Sequence, residues 1–389
     1  MSSALPSSSS ATVPSGVATA PAPFSKHCLT ALGSALDWLF GCAALLALLA
    51  ACSVIPGLNF LSLGYMLHVS GMVAHSGRLR DAFVGVRRAS VIGSIAAGSW
   101  LVMWPARLIA GLWHDAEIIA PSGKTAQAWH IALLISIVIT LAHILWACVR
   151  GGRLHHFLWP QPLRFVRWLR APGKLTKLQE SATRYVTELR LPHLFWLGVR
   201  GFAGAFVWLL LPVGLLLAAM SLPQGIAALT ALLGGLLLLI VAVHLPFLQT
   251  RFAQTGRFAA LFEVLEVRRL FLHAPLAFWL SLLVTLLFAL PLYLLKIELT
   301  PRELAWLPSL LFVIFIFPAR VLTGWAMARA TRCEQPRHWF WRWSARLGML
   351  PIALTYTLVV YFTPFLSWNG AWTLLEQHAF LVPAPLMAL

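Results

Sequence analysis

The feature that most constrains this chain is a series of apolar runs about 20 residues long. A helix rises about 1.5 Å per residue, so a run of that length crosses roughly 30 Å of hydrocarbon. Eight such runs can be placed, at Ala31–Ile55, Ala89–Trp113, Trp129–Val149, Leu194–Ala219, Gly225–Phe247, Pro275–Leu295, Leu304–Ala328 and Leu347–Trp368. Hydrophobic residues make up 60% of the 389 and charged ones 11%, which leaves a soluble fold too little charge to cover its surface. The expected fold class is therefore all-α integral membrane, with about eight transmembrane helices. Pro105, Pro212, Pro246 and Pro291 lie inside or at the ends of these runs, where a membrane bundle tolerates them.

The formal charge of +17 sits in short loops between the runs rather than on one soluble face. That placement speaks against a nucleic-acid partner, and anionic lipid headgroups together with the rules of membrane insertion account for it. Of the 29 Lys and Arg residues, 22 fall in the loops after the first, third, fifth and seventh runs. Positive residues resist translocation, so these four loops are expected in the cytoplasm, with both termini outside, as in a multi-pass protein of a bacterial inner membrane. The chain then divides into a disordered Ser/Ala/Pro-rich tail over 1–28 and a first half over 29–192 that closes with the basic loop. The fourth span at 194–219 opens a remaining transmembrane region over 193–368, and a tail covers 369–389.

Two of the basic loops resemble each other. Ser76-Gly77-Arg78-Leu79, Phe83 and Val86-Arg87-Arg88 are matched by Thr255-Gly256-Arg257-Phe258, Phe262 and Val267-Arg268-Arg269. The third run ends in Trp146-Ala147-Cys148-Val149-Arg150 and the seventh in Trp325-Ala326-Met327-Ala328-Arg329, both W-A-x-x-R. The order suggests a tandem 4+4 repeat of parallel halves, pairing the first run with the fifth. Against that register, Pro105-Ala106-Arg107 in the second run is similar to Pro318-Ala319-Arg320 in the seventh. Gly64-Tyr65-Met66-Leu67, followed by Val73, Gly77, Asp81, Phe83 and Gly85, resembles a loop of uncharacterised bacterial polytopic membrane families. These include relatives of the membrane domain attached to some glycerophosphodiester phosphodiesterases. The resemblance implies a multi-pass protein of unknown activity and carries over no catalytic residue.

Charge inside a membrane is costly and needs an account. Asp37 and Arg107 stand about equally deep from the outer ends of the first two runs and are candidates for an ion pair, the alternative being two side chains that each reach water. Arg200 is placed to snorkel to the interface. Arg320 lies nine residues before Arg329, too deep to snorkel readily, and is the residue expected to line a cavity if one exists.

The loop after the third run splits at Ala171-Pro172-Gly173 into two expected amphipathic helices. The first carries Arg164, Arg167 and Arg170 at three-residue spacing, with Leu163, Val166, Trp168 and Leu169 available to face lipid. Such a helix can lie in the interface and contact anionic lipid. The bland alternative is a loop that only sets topology.

No H-E-x-x-H, G-x-S-x-G, G-x-G-x-x-G or cysteine cluster occurs, and the five cysteines stand singly. No catalytic residue, cofactor or metal site is expected. Leu49-Ala50-Ala51-Cys52 matches the site at which bacterial lipoproteins are cut and acylated, but the reading requires Cys52 outside, against the arginines that follow. Two functional classes remain: a permease-like or lipid-handling protein, and a membrane scaffold or accessory subunit that docks a membrane-protein partner through its basic loops.

Overall fold

A computed structural model describes residues 24–170, 174–294, 306–367, 370–375 and 380–381. The expectations placed on residues 1–23, on the break at Ala171-Pro172-Gly173 and on the run ends Leu295, Leu304 and Trp368 lie outside the described residues.

The described chain is helical throughout. A hairpin of α1 (Phe24–Val54) and α2 (Asn59–Ser76) leads through a 3-10 turn (Leu79–Ala82) into α3 (Val86–Val102) and α4 (Trp104–Ile119). Next come α5 (Lys124–Val149) and three shorter helices, α6 (Leu154–Leu158), α7 (Pro162–Arg170) and α8 (Lys174–Glu188). A second hairpin, α9 (Leu191–Ala219) and α10 (Gln224–Thr255), leads through a 3-10 turn (Phe258–Phe262) into α11 (Val264–His273). The bundle ends with α12 (Pro275–Leu294), α13 (Trp306–Arg332) and α14 (Trp339–Leu366), followed by a 3-10 turn at Gly370–Leu375. Eight helical stretches are long and apolar enough to cross a membrane, and each overlaps one of the eight runs. The stretch Val86–Ile119 breaks at Met103, two residues before Pro105, which takes a first-turn position of α4 where its missing N–H is not needed.

The largest departure from expectation is α2. Asn59, Ser62, His68, Ser70 and His75 dilute its apolar content, so it does not stand out as a membrane run. Yet Leu63, Met66, Leu67, Val69 and Val73 are all essentially inaccessible, because α2 is packed among α1, α9, α10 and α13. At 18 residues it is about 27 Å long, close to the hydrocarbon thickness.

Glycines permit this crowding. A Cβ on Gly64 would strike the Leu194 carbonyl, one on Gly198 the Phe60 carbonyl, and one on Gly71 the Ala253 carbonyl. On α13, a Cβ at Gly324 would strike the Ser70 carbonyl. Small residues of this kind let helix backbones approach where no aqueous hydrophobic effect drives them together.

Neighbours along α2 fix chain direction. Tyr65 stacks on Phe317, Gly324 meets Ser70 and Val73, and Arg332 reaches the Ser76 carbonyl, so α2 and α13 run the same way. Phe60 meets Phe202, Gly64 meets Gly198 and His68 meets His193, so α2 and α9 run oppositely. Trp38 lies against Phe83, Gly41 against Val86 and Ser90, and Ala44 against Gly93; α1 and α3 are therefore parallel.

An extra traverse between them reverses the start of the chain. The bundle's first described helix begins, and α14 ends, at opposite faces. Residues 24–28 already belong to α1, and Thr373, Leu374, Phe380 and Leu381 of the C-terminal stretch are buried.

The two similar loops fold alike. Gly77 ends α2 and Gly256 ends α10, both left-handed with φ of 68° and 70°, a conformation that favours glycine. The next residue, Arg78 or Arg257, is extended, and its N–H is donated to the Ser76 or Thr255 hydroxyl at 3.3 and 3.4 Å. A 3-10 turn follows in each. This equivalence pairs α2, not α1, with α10, so the expected register shifts by one helix at its start. The W-A-x-x-R ends of α5 and α13 remain in step. Packing outside the motif differs: α13 packs on α2, whereas α5 packs chiefly on α4.

Candidate functional site

Three polar regions are built on this frame. The first is interior. Arg320, on α13, is 2% exposed and donates from Nη1 to Gln249 Oε1 on α10 at 2.6 Å. Gln249 Nε2 donates to the Phe380 carbonyl at 3.0 Å, tying the C-terminal stretch to the same cluster. One turn away, Thr250 Oγ1 donates to Thr323 Oγ1 at 3.1 Å, and the Thr323 hydroxyl donates to the Arg320 carbonyl at 2.9 Å. Arg320 does not line either of the two cavities described below.

Asp37 and Arg107 do not join it. Both are exposed, and among the described residues no ion pair links them. The cause is the direction of α1. With α1 parallel to α3, Asp37 sits beside the beginning of α3, whereas Arg107 lies beyond it on α4. Arg200, expected to snorkel, lies over the Phe252 ring of α10, 5.3 Å from its centre.

The second region is the loop after α5. Both expected helices form, and Arg164, Arg167 and Arg170 are all exposed on α7. Phe165 and Trp168 turn the other way and pack on Trp146 at the end of α5, with ring centres 5.2 and 5.8 Å away. Arg150 lies over the same indole and donates to the Trp159 carbonyl at 2.7 Å. The side chains of Val166 and Leu169 lie outside the description.

Beneath them, Phe157 fills the space at Gly98, and His143 Nε2 pairs with the Phe157 carbonyl at 2.7 Å. Partial burial, with His155, Arg150 and Arg153 nearby, pushes the His156 imidazole below its usual pKa. The next helix, α8, is clasped to α3. Glu188 Oε2 accepts from Arg88 Nη2 at 2.8 Å, and Tyr185 Oη donates to the Arg88 carbonyl at 2.9 Å.

The third region was not singled out from the sequence. A cavity of about 420 Å³ opens between the start of α12, the last turns of α13 and the start of α14. Arg329, Arg337, Trp325 and Trp341 line it, with Leu276 and Leu280 on its apolar side. Arg329 is held 5.4 Å from the centre of the Trp325 ring, and the Arg337 N–H donates to the Leu272 carbonyl at 2.9 Å. Both arginines are exposed, and among the described residues neither is within ion-pair distance of a carboxylate. The signal was present in the Trp325-x-x-x-Arg329 spacing, which puts both side chains on one helix face. Arg337, however, reaches the cavity from a separate segment. A second, apolar groove of about 240 Å³ lies at the other end of the α12–α14 seam, at Tyr293, Leu358 and Phe362.

Residues 179–299 match the model of a family described as "Protein of unknown function (DUF4013)". The matched stretch runs from within α8 through α12 and includes the Thr255-Gly256-Arg257 turn, and it assigns no activity. No curated protein and no solved structure matches the chain. The expected kinship with the glycerophosphodiester phosphodiesterase membrane domain gains no support from these comparisons, whereas similarity to an uncharacterised family holds over this stretch.

Proposed function

We propose that this multi-pass protein handles lipid, engaging anionic phospholipid at its arginine-rich face, and that this face is the cytoplasmic one. The carrying observation is α7. Phe165 and Trp168 pin the helix to Trp146 while Arg164, Arg167 and Arg170 stay exposed. A basic amphipathic helix fixed beside a membrane-crossing helix is suited to the headgroup layer. The permease-like reading draws less support, since the one deeply buried cation, among the described residues, is enclosed with Gln249 rather than set along a cavity.

The test is retention of lipid through purification in mild detergent, read by mass spectrometry. Each basic residue near an anionic surface contributes about 1 kcal/mol. Replacing Arg164, Arg167 and Arg170 together by Gln should lower the total retained phosphatidylglycerol, the share held at α7 falling at least tenfold, and leave phosphatidylcholine unchanged. Equal retention of phosphatidylglycerol by the variant would sink the reading.

A scaffold role is the second reading, favoured by the clasp that holds α8 to Arg88 and leaves Glu180 and Arg184 exposed. A stoichiometric protein partner that is lost in an Arg88→Gln variant would favour it.

A further inference from the structure

We infer that the cavity between α12, α13 and α14 is a specific site for one anionic phospholipid, with its phosphate between Arg329 and Arg337 and an acyl chain along Leu276 and Leu280. The inference deepens the lipid-handling reading and rests on it, but it concerns residues remote in sequence from α7.

Charge argues for the ligand's head. Two arginines line one cavity, and no Asp or Glu lines it with them. Two arginines facing one space repel unless an anion lies between them, and a phosphate offers acceptor oxygens to both. Each is also positioned from behind, Arg329 by the Trp325 ring and Arg337 by its own backbone bond to Leu272.

Shape and place argue for the tail. Ala277, Leu276 and Leu280 extend the cavity along α12, a helix long and apolar enough to cross a membrane. Trp325 and Trp341 flank it, amphipathic rings of the kind that favour the headgroup level. Arg332, Arg342 and Arg346 lie close by in the chain, so the site stands on the arginine-rich face. A free phosphate would use the arginines but not the apolar side, and a zwitterionic lipid would bring its own cation to the guanidinium pair.

The experiment measures binding of dioctanoyl phosphatidylglycerol to the purified full chain in detergent by native mass spectrometry, with dioctanoyl phosphatidylcholine and inorganic phosphate as comparisons. Arg329→Gln and Arg337→Gln should each weaken phosphatidylglycerol binding about fivefold and about thirtyfold together. Leu276→Trp, which fills the apolar side and keeps both charges, should also weaken it and serves if the charge variants do not fold. The α7 triple variant should leave this one-lipid stoichiometry intact.

Unchanged binding in the Arg329→Gln, Arg337→Gln double variant would overturn the site while leaving the lipid-handling reading to stand on α7. Equal affinity for phosphatidylcholine, or displacement of the lipid by millimolar inorganic phosphate, would also overturn it. No preference for phosphatidylglycerol in any form of the protein would overturn both.

Discussion

Gln249 takes the hydrogen bond of a charged guanidinium in the interior, and a bond of that kind contributes about 1.5–3 kcal/mol. Gln249→Leu removes the acceptor and also the donor to Phe380, and should lower stability by about 2 kcal/mol or more. Adding Arg320→Met should cost less than the sum of the two single changes, because an apolar pair leaves no charge wanting a partner. Reversible unfolding in mixed micelles measures the cycle, and strict additivity would show that the two side chains do not support each other. Arg320 was conspicuous in the sequence because a charge deep in an apolar run demands an explanation. Its partner was not, since Gln249 stands just beyond the run that was expected to end at Phe247, and only the packing of α10 on α13 brings the two together.

At the scale of elements, α2 decides the most. A helix sheltered by other helices need not be apolar in the way a lipid-facing one must, so hydropathy passes over it although its 12 buried residues lie at the centre of the bundle. If the arginine-rich loops lie in the cytoplasm, the beginning of α1 lies there too, and the α1–α2 turn lies outside. In a cysteine-free background, Leu58→Cys should react with a membrane-impermeant maleimide in intact cells, whereas Lys26→Cys should react only after permeabilisation. Labelling of Lys26→Cys in intact cells would restore the arrangement with both ends outside. The Gly77 and Gly256 turns were readable beforehand because left-handed helix ends favour glycine and the pattern occurs twice. Which helix precedes each turn was not readable, since that depends on seeing α2.

For the molecule as a whole, α2 belongs by sequence to the first half and by packing to the second, where α9, α10 and α13 surround it. Residues 179–389 expressed alone would expose Gly198 and Gly324, the close-approach surfaces left by α2, and should fail to accumulate. Co-expression with residues 1–178 should restore a bundle that purifies as one species, and a stable second half on its own would show that α2 is dispensable to it. The sequence by itself determined the apolar solvent, eight runs of membrane-crossing length, the gathering of the arginines in alternate loops and the twin Gly-Arg motifs. Each of these depends on transfer energies or backbone preferences that act locally and add along the chain. Only the tertiary structure decided the sheltered helix, the opposed ends of the bundle, the partner of Arg320, the separation of Asp37 from Arg107 and the cavity shared by Arg329 and Arg337. Those follow from which helix faces close on one another, and close approach of distant segments is a property of packed surfaces that no single segment carries.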